Sequence, residues 1–364
     1  VFAVIGGLYG VMDNTGALGK VTDKWVKSYK GKENKFLVLT VVLFTLLSSL
    51  TGLVLPLFVL VPLFAAVLFT MNYDKVTVLA ATVGSLLVGN VASTYGFNVT
   101  GYTKNILSLD MSNQIWSKLI LLVLLTVLFA FTIVSSSKKK QTREVKKAEL
   151  KKEVKDTKTD KKSKDGRKNV KATKTSKRSN TKALAVSKPV KKVSDRSKVS
   201  MVPLVIIFIL MLLIAFVGMY NWYYSFGIDV FNNMHEAVMG VKIGDFAIFE
   251  HLLSGFSQFG YWSNIEFAGL MIVTSMVIAW IYKLNINEYI ESFIAGMKKW
   301  LPTAIYSALA SVILVVLYQS LQYGSGTLVD TINGKVFGLV DGFNPIITGV
   351  ASLISGFFFN DLTT

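Results

Sequence analysis

The chain has 364 residues, 52% of them hydrophobic, with a mean hydropathy of +0.50 and a formal net charge of +17. So apolar a composition excludes an ordinary soluble domain and points to a polytopic membrane protein, because several runs approach the roughly 20 helical residues that a bilayer requires. There is no cysteine and there are only two histidines, His235 and His251, so disulfides, thiolate chemistry and familiar metal-ligand spacings are absent; both histidines read as loop or interfacial residues.

Residues 1–13 form an apolar span or half-span. The chain starts inside this run at Val1 and stops inside another at 343–364, so it reads as a piece of a longer transporter-like protein. The basic stretch 19–35 follows, and the positive-inside rule places it in the cytoplasm. Residues 36–71 are apolar except for "SSLTG" at 48–52. Two full spans and a turn need more than ~40 residues. A re-entrant helical hairpin with a polar tip therefore fits better than two short spans. Residues 72–75 return to the cytoplasm.

Residues 76–108 then cross outward, but "NVASTYGFNVTGY" at 90–102 interrupts them. Backbone polar groups without partners cost several kcal/mol each in hydrocarbon, so non-helical chain at membrane depth has to line a cavity. This predicts a discontinuous helix whose half-helix ends can hold an anion or a cation. An external loop ending a span near Gly89 also fits the pattern. "SLDMSN" makes an external turn and 115–136 returns to the cytoplasm.

The excess charge lies in the next segment. Residues 138–198 carry 25 Lys and Arg against 7 Asp and Glu, a net of +18, which leaves the rest of the chain nearly neutral. With no aromatic residue and few aliphatics, 137–200 reads as a disordered cytoplasmic linker, in which Glu/Lys pairs of "REVKKAELKKEVK" support a transient helix. The lack of stacking residues argues against nucleic acid as a partner. Anionic membrane lipid is the better match. Beyond it, 201–223 goes out, 224–263 is mixed and interfacial or external, and 264–283 returns. "NINEYIESFIAGMKKW" reads as an amphipathic cytoplasmic helix and 300–323 as a further crossing.

The expected organisation is a first membrane repeat at 1–136, the linker at 137–200, and a second repeat at 201–364 that is truncated within its hairpin. Candidate solute ligands are Ser48, Ser49, Thr51 and Gly52 at the hairpin tip, with Asn90, Ser93, Thr94, Asn98, Thr100 and Gly101 around the break. These supply hydroxyl and amide groups, and glycines that permit the turns. No P-loop, nucleophile elbow, dinucleotide fingerprint or carboxylate pair suggests an enzyme.

The first ~110 residues resemble the YfcC/DcuC-type carriers of the ion-transporter superfamily. The resemblance rests on Gly6, Gly7, Tyr9, Gly10 and Val11, on "TGA" at 15–17 and "KGKE" at 30–33, and on Ser49, Thr51 and Gly52. It continues through Tyr73 and Asp74 to Ala92, Ser93, Thr94, Phe97, Thr100 and Gly101. Leu53, Val54 and Leu55 stand where the family often has acidic residues, and its Asn-Pro is replaced around Tyr95, Gly96 and Asn98.

The resemblance implies an all-α inverted-repeat transporter, with two re-entrant hairpins and two broken helices around a central site. It also implies secondary transport of a small organic solute, carboxylate or amino acid, with Asn360 and Asp361 near the tip of the second hairpin. No cofactor is expected. The coupling cation, sodium or proton, and assembly as a homodimer are left open. The alternative is a non-transporting membrane scaffold whose lysine-rich loop recruits anionic lipid or a partner.

Overall fold

The structure, a computed structural model, describes residues 1–96, 115–159, 200–243, 246–253, 255 and 257–318. It is mostly helical. In chain order the elements are α1 (Phe2–Asn14), α2 (Ala17–Ser28), α3 (Glu33–Thr51), α4 (Val54–Leu57), α5 (Val61–Thr70), α6 (Lys75–Leu79) and α7 (Ser85–Val91). They continue with α8 (Ile115–Thr159), α9 (Val202–Met219), α10 (Trp222–Phe226), α11 (Val230–Met239), α12 (Ile248–Leu253), α13 (Asn264–Ile281) and α14 (Ile286–Tyr318). The only strands among the described residues are β1 (Lys242–Ile243) and β2 (Phe246–Ala247), an antiparallel ribbon two residues long inside the mixed region.

Four helical stretches among the described residues are long and apolar enough to cross a bilayer: Glu33–Thr51, Ile115–Ser137, Val202–Met219 and Asn264–Ile281. Their outer faces carry large apolar side chains in the open, such as Ile120, Val123 and Phe131 on α8, Ile206 and Ile209 on α9, and Trp280 on α13. In water such patches would drive aggregation. Against lipid tails they are the expected surface, and the protein is a membrane protein.

α3, α4 and α5 fold back on one another as a helical hairpin. α3 buries one stripe, including Phe36, Thr40, Val41, Phe44, Thr45 and Ser48, and turns Val38, Leu39, Leu46 and Leu50 outward. It stops at Gly52, whose φ of 68° is the left-handed conformation glycine tolerates. The chain then doubles back, and Phe64 of α5 packs against both Phe36 and Phe44, with ring centroids 5.9 and 5.1 Å away. The return arm is not one regular helix. A 3₁₀ turn, Phe58–Leu60, separates α4 from α5, and the Val59 carbonyl accepts a hydrogen bond from the Tyr9 hydroxyl of α1 at 2.6 Å. The hairpin's feet are joined where the Tyr73 hydroxyl donates to Asn34 Oδ1 at 3.0 Å.

α1 packs chiefly on α13 and α14, so the first helix of the chain nests among helices of the second half. Gly6 and Gly10, four residues apart on one face, make this possible. A Cβ on Gly10 would lie 2.2 Å from the Ser292 carbonyl oxygen, and one on Gly296 would lie 2.1 Å from that of Gly6. The backbones touch, in the manner of small-residue crossings between membrane helices.

Two elements differ from the sequence reading. α8 does not end at 136 but continues through Thr159 into the basic segment expected to be disordered. The Glu/Lys spacing that suggested a transient helix there is a sufficient local cause, since each i,i+4 pair adds a few tenths of a kcal/mol. The amphipathic segment at 285–300 and the crossing that follows are one helix, α14, with Pro302 inside it. The amphipathic part is not a separate surface helix, because Gly296, Phe293 and Trp300 pack against the glycine face of α1.

Candidate functional site

The site is built where the hairpin tip meets the end of α7. α6, a π-helical turn (Ala80–Gly84) and α7 form a nearly continuous rod from Lys75 to Val91. The rod runs parallel to α3. Its foot, near Tyr73, is tied to Asn34. Higher up, the Ser48 hydroxyl donates to the Leu86 carbonyl at 2.7 Å, and a Cβ on Gly89 would lie 2.3 Å from the Thr45 carbonyl oxygen. Both rods end at the same level after ~25–28 Å of rise, a little short of a hydrocarbon core. The π turn is stitched by hydroxyls that bond back to the preceding turn, Thr82 to the Val78 carbonyl and Ser85 to the Ala81 carbonyl, both at 2.8 Å. Such π-bulges recur at functional sites.

At the shared end the helix stops and the chain runs as turns and bends from Ala92 to Gly96. Ser49 grips both sides of this stop. Its hydroxyl donates to the Ala92 carbonyl at 2.6 Å and lies 3.2 Å from the Thr94 hydroxyl. Its carbonyl accepts from the Thr94 amide at 3.0 Å and the Thr94 hydroxyl at 3.3 Å, with the Ser93 hydroxyl at 3.5 Å. Ser48, Ser49, Ser93 and Thr94 are all buried. Backbone meets backbone alongside, since a Cβ on Gly96 would lie 3.1 Å from the Gly52 Cα.

The expected ligands thus divide. Ser48, Ser49, Gly52, Ser93 and Thr94 come together from two segments about 45 residues apart. Thr51 is turned to the turn itself: its hydroxyl donates to the Leu47 carbonyl at 2.7 Å and accepts from the Leu53 amide at 3.1 Å. Asn90 is half-buried on the last turn of α7. Asn98, Thr100, Gly101, Asn360 and Asp361 lie outside the described residues.

Three neighbours were not singled out in the sequence. Thr45, one turn before Ser48 and Ser49 on the same face of α3, is completely buried, and its hydroxyl has no hydrogen-bond partner. An orphaned buried hydroxyl costs ~1–3 kcal/mol, so it calls for a role. Its spacing from Ser49 was the available signal. Gly89 allows α7 to lie on the α3 backbone. Tyr220, at the top of α9, donates its hydroxyl to the Tyr95 carbonyl at 2.7 Å and so holds the break from the other half of the chain.

The chemistry available is that of hydroxyls, amides and carbonyls. Both α3 and α7 present their C-terminal ends to the junction, and helix C-termini carry partial negative charge. Among the described residues no group of three or more His, Asp or Glu side chains comes together in a way that could hold a metal ion.

A lipid-facing helical bundle with a hydroxyl-lined junction between the ends of α3 and α7 is compatible with a membrane transporter of small organic solutes. The profile of the DcuC family, described as C4-dicarboxylate anaerobic carriers, matches residues 1–362. The chain belongs to that family. No curated protein and no solved structure matches it.

Proposed function

We propose that the protein is a secondary active transporter that moves a four-carbon dicarboxylate across the cell membrane by alternating access. The junction of hairpin tip and helix break is the described half of its site. The observation that carries this reading is Ser49, whose hydroxyl and carbonyl together bridge both sides of the break. Interhelical hydrogen bonds of this type are worth about 0.6–1.7 kcal/mol each, so solute oxygens or a cation can exchange with them at little cost.

The convergence of two helix C-termini favours positive charge, and we assign the coupling cation, sodium or proton, to this half beside the solute. Thr45 supplies an uncommitted oxygen one turn below. Asn98, Thr100, Gly101, Asn360 and Asp361 complete the pocket in the same proposal, with the second repeat inverted relative to the first. The hairpin is re-entrant from the cytoplasmic side, where 19–35 and the linker lie.

The test is uptake by the full-length protein in proteoliposomes, offered a labelled four-carbon dicarboxylate or an amino acid under a sodium or a proton gradient. The dicarboxylate should accumulate under one of the two gradients, and Ser49→Ala should lower its rate about tenfold, the equivalent of 1.4 kcal/mol. Accumulation of the amino acid alone would move the substrate class. A folded protein that accumulates neither would overturn the proposal and leave the scaffold alternative.

A further inference from the structure

A second cluster of chemistry lies at the opposite end of the rods, around α2. Thr15 and Gly16 turn the chain sharply after α1: the Thr15 hydroxyl accepts from the Ala17 amide at 3.1 Å, and Gly16 takes a φ of 71°. α2 is amphipathic. Ala17 and Val21 are buried, and the Trp25 ring packs on Phe36 and Phe64, with centroids 5.9 and 5.3 Å away. That anchoring fixes which way the other face looks. Lys20, Lys24 and Lys27 fall at i, i+4 and i+7 on it, with Asp23 as the one acidic residue among them.

These four side chains and the foot of α9 enclose an open groove of about 530 Å³. The floor is held in place. The Tyr282 hydroxyl donates to the Ser200 carbonyl at 2.7 Å and accepts from the Leu204 amide at 3.1 Å, and the Val202 amide bonds the Ser200 hydroxyl at 3.3 Å. Above the groove α9 exposes Val202, Val205, Ile206 and Ile209 in a continuous apolar strip. The basic segment 138–198, with its net charge of +18, rejoins the chain beside Ser200.

We infer that this groove binds the headgroup of an anionic phospholipid, with the phosphate among the three lysines and the acyl chains along the apolar strip of α9. The groove sets three lysines and one carboxylate beside an exposed apolar strip, a pairing of positive charge and apolar surface that matches an anionic headgroup with its acyl chains. The strip distinguishes a lipid from a free phosphate, since a soluble anion gains nothing from it. An amphipathic helix with lysines on its polar face is also the form that lies in a membrane interface. The inference rests on the membrane placement of the protein and not on the solute it carries.

The experiment compares spin-labelled phosphatidylglycerol with spin-labelled phosphatidylcholine around the full-length protein in phosphatidylcholine bilayers at low ionic strength. The wild type should hold the anionic probe in preference, with each surface lysine contributing up to roughly fivefold, about 1 kcal/mol. K24Q/K27Q, which alters exposed side chains only, should lose the larger part of that preference, and K20Q/K24Q/K27Q nearly all of it. K20R/K24R/K27R should keep it, as should replacement of 160–198 by a neutral flexible linker.

Undiminished preference in both glutamine variants would overturn the inference. So would loss of the preference on linker replacement alone, or displacement of the lipid by millimolar inorganic phosphate. Uptake plays no part in the readout, so the outcome is independent of the transport proposal.

Discussion

Two helix contacts in this molecule are equally close and differently made. Where α1 crosses α14, Gly6, Gly10 and Gly296 bring backbone against backbone. Where α3 runs beside α7, Gly89 allows a similar approach, but Ser48, Ser49 and Thr94 thread hydrogen bonds through the contact. The first contact is built on the close approach that these glycines allow. The second can trade its bonds for those of a ligand. In the proposed transport cycle the first contact would serve as a pivot and the second as the exchangeable junction.

The harshest way to break the comparison is Gly10→Leu. Its side chain would meet the Ser292 carbonyl and the Gly296 backbone. The cost should be at or above the upper end of the ~1–3 kcal/mol usual for overpacking. Little folded protein should then be recovered, as size-exclusion chromatography of detergent extracts would show.

Thr94→Val should act at the other contact. Initial uptake should fall about tenfold, while thermal unfolding should reflect only the ~0.6–1.7 kcal/mol of an interhelical hydrogen bond. Thr45→Val sharpens the contrast because its two effects have opposite signs. Removing an orphaned hydroxyl should raise stability by about 1 kcal/mol, yet uptake should drop severalfold if that oxygen serves a ligand.

Tyr220→Phe deletes one bond to the break and should cost roughly threefold in uptake, the equivalent of ~0.6 kcal/mol. Replacing 160–198 with a neutral linker should change uptake less than about twofold, because a sequence so charged and without an aromatic residue offers little to pack on the junction. A larger loss would favour the scaffold alternative.

The polar breaks were legible in the sequence because hydroxyls and glycines in an apolar run need a physical reason. The hairpin, its Gly52 turn and the stop after Val91 all follow from that argument. The pairing of Ser49 with Ala92 and Thr94 did not follow, since register between segments is a tertiary property. Thr45 escaped because a single threonine in an apolar helix looks like filler until its partners are known. The continuity of α14 was hidden by Pro302, which ordinarily ends or kinks a helix, and that of α8 by the charge beyond 136. The glycines of α1 were visible as a family resemblance, but not as half of a helix crossing.

The central claim is that the Ser49–Thr94 junction opens to bind solute, and a cysteine at position 94 tests it most directly. The chain has no other cysteine, and Thr94 is 1% exposed in the structure. The rate of its labelling by a membrane-impermeant thiol reagent would be measured with and without a four-carbon dicarboxylate. The account predicts slow labelling that the dicarboxylate slows further, in a concentration-dependent way. Labelling at one fixed rate, whatever solute or cation is present, would contradict it.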